Sequence, residues 1–168
     1  MELLLPENSL DTTLIKALNE IDENWREYKG LICCGSWPGQ DDNAFYEKNV
    51  YELKKAKGRG IPYLGICLGM QMIIKMEGGK LEKLEENRVG IKEVIGWWGI
   101  TNESHWHRFA GREDIRGYQI VKTDGIIEAM RLEYHPFFVG TQFHPEYQSS
   151  KDKPHPILKE FLEVCSAE

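Results

Sequence analysis

The sequence has no run of about 20 consecutive apolar residues, which is the length that a helix needs to cross a bilayer. Its N-terminal MELLL is too short for the apolar region of a signal peptide. These two absences predict a cytoplasmic protein without a membrane partner.

Positive charge is scarce relative to negative charge. The chain has 21 lysine and arginine residues against 27 aspartate and glutamate residues, and its formal net charge is −6. Because nucleic-acid binding needs a basic surface for the phosphates, this balance predicts no nucleic-acid partner.

Cysteine is present but not in a pattern that binds metal. Cys33, Cys34, Cys67 and Cys165 form no CxxC pair and no zinc-like spacing with the histidines. Without an export signal, all four are expected to be reduced thiols. Each is either a buried structural thiol or a nucleophile, and its surroundings must decide.

The composition is that of a globular protein, with 41% hydrophobic and 29% charged residues. A chain of 168 residues fits one domain, spanning residues 1–168, and a domain of this size buries about two-thirds of its unfolded surface.

Apolar runs alternate with amphipathic stretches in the first half, which favours a parallel α/β sheet with right-handed crossovers. The second half contains short successive strands instead. In the first half we predict a strand at 2–5, a helix from about Asp11 in which Leu14, Ile15 and Leu18 share one face, strands at 31–34 and 61–66, and helices at 44–57 and from Leu68 to Gly78-Gly79. In the second half we predict strands at 80–84, 89–95 and 118–122, and a loop that contains HWHRF. A hairpin of 126–134 with 137–143 and a helix at 157–164 complete the prediction.

The stretch IPYLGICLGMQ, residues 61–71, places Cys67 between Gly65 and Gly69 where a strand is predicted to turn into a helix. A nucleophile at such a strained turn needs small neighbours. The N-terminus of the helix would also favour the thiolate. Taken alone, a cysteine is more often a buried structural thiol, and the two glycines weaken that explanation without removing it.

A second motif, GTQFHPEY at residues 140–147, lies at the end of the strand predicted at 137–143. On an extended segment His144 and Glu146 point the same way, and Pro145 stiffens the segment between them. Thiolate attack on a carbonyl needs a histidine that moves the proton and a carboxylate that orients the histidine. A surface ion pair is the alternative explanation.

Together, GICLGMQ and GTQFHPEY resemble the class I glutamine amidotransferase (triad glutaminase) family, and within it most closely the glutaminase domains of CTP synthases. ESHWHRF at 103–109 and PHPILKEFLE at 154–163 extend the resemblance over nearly the whole chain from Gly30 onward. The resemblance implies a flavodoxin-like α/β fold, with a mainly parallel central sheet, flanking helices and an antiparallel extension in the C-terminal half.

The resemblance also implies the roles of individual residues, with no cofactor and no metal. Cys67 corresponds to the nucleophile, His144 to the general base and acid, and Glu146 to the carboxylate that orients His144. The implied oxyanion hole consists of Gly35, Ser36 and Leu68, and the implied substrate contacts are Gln71 and Arg108. For Arg108, a surface ion pair is an equally good explanation.

Three features depart from the family pattern. The oxyanion loop, Pro-Gly-Gly-Phe-Gly in the relatives, is CGSWPG at 34–39, where a serine replaces the second glycine. Only 29 residues precede Gly30, and the stretch from Cys67 to HWHRF is short. No synthetase domain and no GxxxxGK[ST] loop are present, so we expect ammonia to serve a separate synthetase.

These features leave three hypotheses. The first is a glutamine amidohydrolase that passes ammonia to a separate synthetase. The second is a stand-alone hydrolase of another γ-glutamyl amide, such as a γ-glutamyl amine or nucleotide conjugate, and the third is a non-catalytic regulatory paralogue.

Two further pairs of residues can be explained by packing rather than by a role in the site. Trp97-Trp98 either lines the substrate site or fills the core, as aromatic pairs usually do. His105 and His107 have the spacing of half a metal site, but the sequence offers no third ligand.

Overall fold

The computed structural model describes residues 15–18, 28–34 and 43–167 of the chain. In chain order, they form strands β1 (Ile15–Leu18) and β2 (Gly30–Cys33), helix α1 (Asn43–Gly58), strand β3 (Tyr63–Ile66), helix α2 (Leu68–Met76), strands β4 (Glu82–Gly96), β5 (Gly99–Ala110), β6 (Tyr118–Thr123), β7 (Ile126–Leu132) and β8 (Phe138–Thr141), a 3₁₀ helix (Pro145–Gln148) and helix α3 (Pro156–Ser166).

Six strands form the central sheet, in the order β1-β2-β3-β8-β7-β6. The first four run parallel, whereas β7 is antiparallel to both β8 and β6. Strands β2, β3 and β8 are buried along their whole length, as expected for parallel strands covered on both faces. The predicted fold class, mainly parallel with an antiparallel extension, is confirmed.

Alternate residues of each central strand pack on opposite faces of the sheet. Leu31 and Tyr63 belong to a core shared with residues of α1 and α2. Their chain neighbours Ile32 and Leu64 belong to a second core, which includes Phe161 of α3. The strands therefore lie between two helical layers, which gives the carboxyl ends of β3 and β8 a rigid support. None of the described helices has the length and apolar character that a bilayer span requires.

The helix predicted from about Asp11 is wrong where the structure describes that region. Ile15–Leu18 is strand β1, which pairs in parallel with Gly30–Cys33. The spacing of Leu14, Ile15 and Leu18 fits one face of a helix, but β2 offers backbone groups that a neighbouring strand can pair. The predicted strand at 2–5 lies outside the described residues.

The antiparallel ribbon of β4 and β5 corrects two further predictions. The separate strands predicted at 80–84 and 89–95 are one strand, because an irregularity between Lys83 and Arg88 changes the register without ending the pairing. HWHRF lies within β5 rather than in a loop. The predicted hairpin around His135-Pro136 and the three helices that follow residue 43 are present within two residues of the expected bounds.

Replacing Gly69 by alanine should destabilise the protein by about 1–3 kcal/mol, because a Cβ there would overlap the backbone carbonyl oxygen of Cys33. Gly58→Ala is the matched control: its Cβ would meet no atom within 4 Å, and alanine is the better helix former. Urea unfolding of both variants tests this prediction. Equal stability of the two variants would contradict the close approach of α2 to β2.

Candidate active site

Cys67 occupies the turn between β3 and α2 with a strained backbone, at φ 54° and ψ −101°. A non-glycine residue rarely adopts positive φ, and such strain persists only where the surrounding structure enforces it. Here the N–H of Cys67 donates to the carbonyl of Thr141 at 2.7 Å, and its own carbonyl accepts from the N–H of Gln71 at 3.1 Å. The turn therefore projects Cys67 at the carboxyl end of the sheet.

The glycines on either side of Cys67 allow this geometry. A Cβ at Gly65 would lie 2.5 Å from the backbone carbonyl of Gly69. The first turn of α2 thus packs directly against β3, as the GxCxG pattern predicts.

His144 reaches the same end of the sheet because β8 is the parallel neighbour of β3, with Thr141 paired to Ile66. The Nδ1–H of His144 donates to Oε1 of Glu146 at 2.7 Å, and both side chains are largely buried. The ring of Tyr147 stacks on the imidazole at 5.1 Å. The predicted extended geometry is wrong, because Glu146 lies in the 3₁₀ helix, whose turn brings its carboxylate back to His144.

Opposing effects set the pKa of His144. Burial lowers this pKa, but side-chain hydrogen bonds shared with Cys67 and Glu146 outweigh burial and raise it to about 9. The imidazole is therefore held as imidazolium at neutral pH, beside the sulfur of Cys67.

The other three cysteines lie in surroundings that suppress the thiolate. Burial raises the pKa of Cys33 and Cys165 to about 12 and that of Cys34 to about 11. These thiols stay protonated at neutral pH. Of the four candidates that the sequence leaves open, Cys67 is the one whose side chain helps to raise the pKa of His144.

Gln71 lies one helical turn after Cys67 and is completely buried. Its amide nitrogen donates to the carbonyl of Phe109 at 3.1 Å and to Oε1 of Gln142 at 3.3 Å. The amide of Gln142 in turn donates to the sulfur of Cys67 at 3.6 Å. Gln142 was not predicted as a site residue, although it lies within the GTQFHPEY motif.

The other residues predicted for substrate binding and for the oxyanion hole make no side-chain contact with Cys67 or His144 that the structure describes. Arg108 is exposed on β5 and has no ion-pair partner among the residues that the structure describes. Leu68 is the first residue of α2, and its side chain is buried. Gly35 and Ser36 lie outside the described residues.

The backbone of β5 borders the site, which no side-chain pattern indicates. The carbonyl of Ser104 accepts from the N–H of His144 at 2.8 Å, and the carbonyl of Trp106 lies 3.8 Å from the sulfur of Cys67. With the Phe109 carbonyl bound to Gln71, three carbonyls of one strand contact the site.

His105 and His107 face the interior from β5. Nδ1 of His107 bonds to the carbonyl of Phe109 at 3.0 Å, and Nδ1 of His105 lies 3.7 Å from Glu128. Burial lowers the pKa of His105 to about 3 and that of His107 to about 4. No cluster of three metal-ligating side chains occurs in the described part of the chain.

Glu128 lies beside His105, whereas the tryptophan pair packs against the core. Burial raises the pKa of Glu128 to about 7, although the guanidinium of Arg88 at 3.0 Å opposes the shift. Trp97 and Trp98 pack edge to face, and Trp98 contacts Phe143 in the core.

Comparison with known proteins identifies the family. The model of the glutamine amidotransferase class-I family matches residues 5–164, so the chain belongs to this family. The CTP synthase of Thermotoga maritima is 30% identical over 89% of this chain, and that of Dehalococcoides mccartyi strain 195 is 27% identical over 88%. These matches span 38% and 35% of the two enzymes, so the chain covers little more than a third of their length.

Solved structures share the flavodoxin-like fold. The glutaminase domain of Trypanosoma brucei CTP synthase with bound acivicin superposes with a TM-score of 0.71, at 20% identity, over 82% of this chain and 71% of that domain. A glutamine amidotransferase from Thermotoga maritima gives 0.62 at 20% identity, over 76% of this chain and 60% of that protein. The resemblance stated from the sequence motifs is confirmed at the level of family and fold.

Replacing His107 by asparagine should flatten the pH dependence of stability below pH 6.5. The folded protein keeps His107 neutral down to a pKa of about 4, against an ordinary value of 6.5. Between these values the unfolded chain binds one more proton, so this site loses stability as the pH falls. Asparagine removes the proton uptake and can still donate to the Phe109 carbonyl.

Urea unfolding at a series of pH values between 6.5 and 4 measures this effect. The slope of unfolding free energy against pH should fall by about one proton, roughly 1.4 kcal/mol per pH unit. An unchanged slope would contradict a buried, neutral His107.

Proposed function

We propose that this chain is a glutamine amidohydrolase in which Cys67, His144 and Glu146 act as a catalytic triad. The observation that carries the proposal is the chain of contacts from Cys67 to His144 and from His144 to Glu146. Nucleophilic acyl transfer uses this order of nucleophile, base and orienting carboxylate. Membership of the glutamine amidotransferase family supports glutamine as the substrate.

In the first half of the reaction, the Cys67 thiolate attacks the carbonyl carbon of the glutamine side-chain amide and forms a tetrahedral intermediate. The His144 imidazolium donates its proton to the amide nitrogen as the C–N bond breaks. Ammonia leaves, and the γ-glutamyl group stays on Cys67 as a thioester.

In the second half, neutral His144 takes a proton from water while the water oxygen attacks the thioester. The C–S bond breaks, and the thiolate and imidazolium are restored. The product leaves as glutamate once its new γ-carboxyl group has lost its proton to solvent. The carboxylate of Glu146 holds the proton on Nδ1 of His144, so that Nε2 is the nitrogen that exchanges protons with the reacting groups.

The oxyanion of each tetrahedral intermediate needs backbone donors. The N–H of Leu68 lies at the positive end of α2, directly after the nucleophile. We assign the second donor to the loop of Gly35 and Ser36 on the sequence resemblance, since the loop lies outside the described residues.

Substrate recognition needs a cation for the α-carboxylate of glutamine. Arg108 is exposed without an ion-pair partner among the described residues, and its guanidinium can bind a carboxylate through two parallel hydrogen bonds. Gln71 shapes the wall of the site and contacts the substrate by exchanging one of its present hydrogen bonds.

In this proposal the ammonia is passed to a synthetase. The matched relatives are named CTP synthase, and the part that this chain matches spans little more than a third of their length. The cytoplasmic location stays a prediction from the sequence, as does activity without a cofactor.

Replacing Cys67 by alanine should abolish glutamate release from glutamine, because no other thiol of the described residues adjoins His144. Cys165→Ala is the control, since Cys165 is buried in α3 and its pKa is raised to about 12. Coupled glutamate detection, with and without candidate synthetases, measures the turnover of both variants.

Loss of turnover in Cys67→Ala alone supports the proposal. Absence of turnover in the wild-type protein under all these conditions contradicts it. Turnover of γ-glutamyl amines far above that of glutamine would replace it with the stand-alone γ-glutamyl amide hydrolase.

The rate should fall on the alkaline side with an apparent pKa near 9, where His144 loses the proton that the leaving ammonia requires. Glu146→Gln removes one of the interactions that raise this pKa, so the alkaline limb should move to lower pH. We also expect kcat to fall by roughly 10²–10⁴-fold. The pH profile of kcat/KM for both proteins is the measurement, and an unmoved alkaline limb would contradict the role of Glu146.

A further inference from the structure

The segment that follows His144 is held against β5 by polar contacts. Besides the bond from the His144 N–H to the Ser104 carbonyl, the amide of Gln148 donates to Oγ of Ser104 at 3.0 Å. Farther along, His155 bonds to Glu103 at 2.7 Å, next to Ser104 on the strand. Two adjacent residues of β5 therefore fix the segment at three points.

The pair of Glu103 and His155 is buried, at 0% and 4% exposure. His155 is also the N-cap of α3, where its Nδ1 accepts the N–H of Ile157 at 3.2 Å. Because an N–H can only donate, Nδ1 carries no proton and the proton lies on Nε2, which donates to Oε1 of Glu103. One imidazole thus caps α3 with one nitrogen and attaches that helix to β5 with the other.

Because the pair is buried, its desolvation makes it an energetically unfavourable link between β5 and α3. Oε2 of Glu103 has no hydrogen-bond partner among the described residues, and a buried carboxyl and imidazole cost more desolvation than an apolar contact in the same space. A hydrogen bond is directional, however, and this one fixes the position of α3 relative to β5. That position matters here because β5 contacts both His144 and Cys67.

We propose that Glu103 and His155 are a positioning pair that sets the placement of His144 relative to the Cys67 sulfur. The proposal rests on the proposed function, in which this placement limits the chemical step. The pair touches neither substrate nor reacting atoms; it acts through Ser104, whose carbonyl holds the His144 backbone.

Two isosteric variants separate the cap from the attachment to Glu103. His155→Asn keeps an acceptor near the position of Nδ1 and so keeps the cap, but it is too short to reach Glu103. His155→Gln places an amide donor near the position of Nε2 and keeps the bond to Glu103, but it loses the cap. A merely structural role predicts that the variant without the cap is affected more.

The positioning role predicts the opposite order for turnover of glutamine. In His155→Asn, kcat should fall about 10–100-fold with KM within about twofold, since a shift of the reacting groups by about 1 Å costs up to 10²-fold. In His155→Gln, kcat should stay within about threefold of the wild type. Wild-type kcat in His155→Asn, or an equal loss in both variants, would overturn the proposal.

Alkylation of Cys67 by iodoacetamide at neutral pH gives a readout that needs no glutamine turnover. Peptide mass spectrometry follows the Cys67 adduct, whose rate reports the thiolate held by His144. We expect the rate to fall about tenfold in His155→Asn and to be retained in His155→Gln. Equal rates in the two variants would overturn the proposal.

If the wild-type protein does not hydrolyse glutamine, the proposed function fails, while the alkylation rates still decide the positioning role. If His155→Asn does not fold, Glu103→Gln and Glu103→Ala replace the pair of variants. Glutamine keeps the acceptor for Nε2–H and should retain the alkylation rate, whereas alanine removes the acceptor and should lower it about tenfold. Equal rates in these two variants would equally overturn the proposal.

Discussion

The close approach of α2 to β3 at Gly65, and to β2 at Gly69, is the constraint on which the site depends. A side chain at either glycine would separate strand from helix, because each Cβ would overlap backbone atoms rather than a flexible side chain. At the turn between β3 and α2, Cys67 has a φ of 54° and is held by backbone hydrogen bonds to Thr141 and from Gln71. The strained turn places the sulfur at the start of α2.

The order of strands in the sheet brings the other residues of the site to Cys67. Residues far apart in sequence meet because β8 lies beside β3, which puts His144 next to Cys67. The β4–β5 ribbon then passes over the same edge and contributes backbone carbonyls. Burial raises the pKa of three thiols, while the fourth lies beside His144, which is itself bound to Glu146.

The parts of the fold and of the site that depend on residues close together in sequence could be predicted. GICLGMQ and GTQFHPEY carry the turn, the histidine and the carboxylate within a few residues each, and the helices after residue 43 follow from their apolar spacing. Ile15–Leu18 could not be assigned in this way, because a distant strand decides its conformation. The same holds for β5, whose role depends on carbonyl groups that every residue possesses.

Gln142 shows that the role of a residue can escape prediction even when it lies within a recognised motif. The sequence places it two residues before His144, but its contact with Cys67 follows from the pairing of β8 with β3 and from the buried amide of Gln71. The pair of Glu103 and His155 is a further case, since its members are 52 residues apart in sequence.

We propose that the fold makes Cys67 the one reactive thiol and directs it at a glutamine side chain. Incubation with a glutamine analogue that carries an electrophile at its γ-carbon, followed by peptide mass spectrometry, tests both parts together. We predict one adduct per chain, on Cys67, formed more slowly when glutamine is added. Adducts on Cys33, Cys34 or Cys165, or labelling of Cys67 that glutamine does not slow, would contradict it.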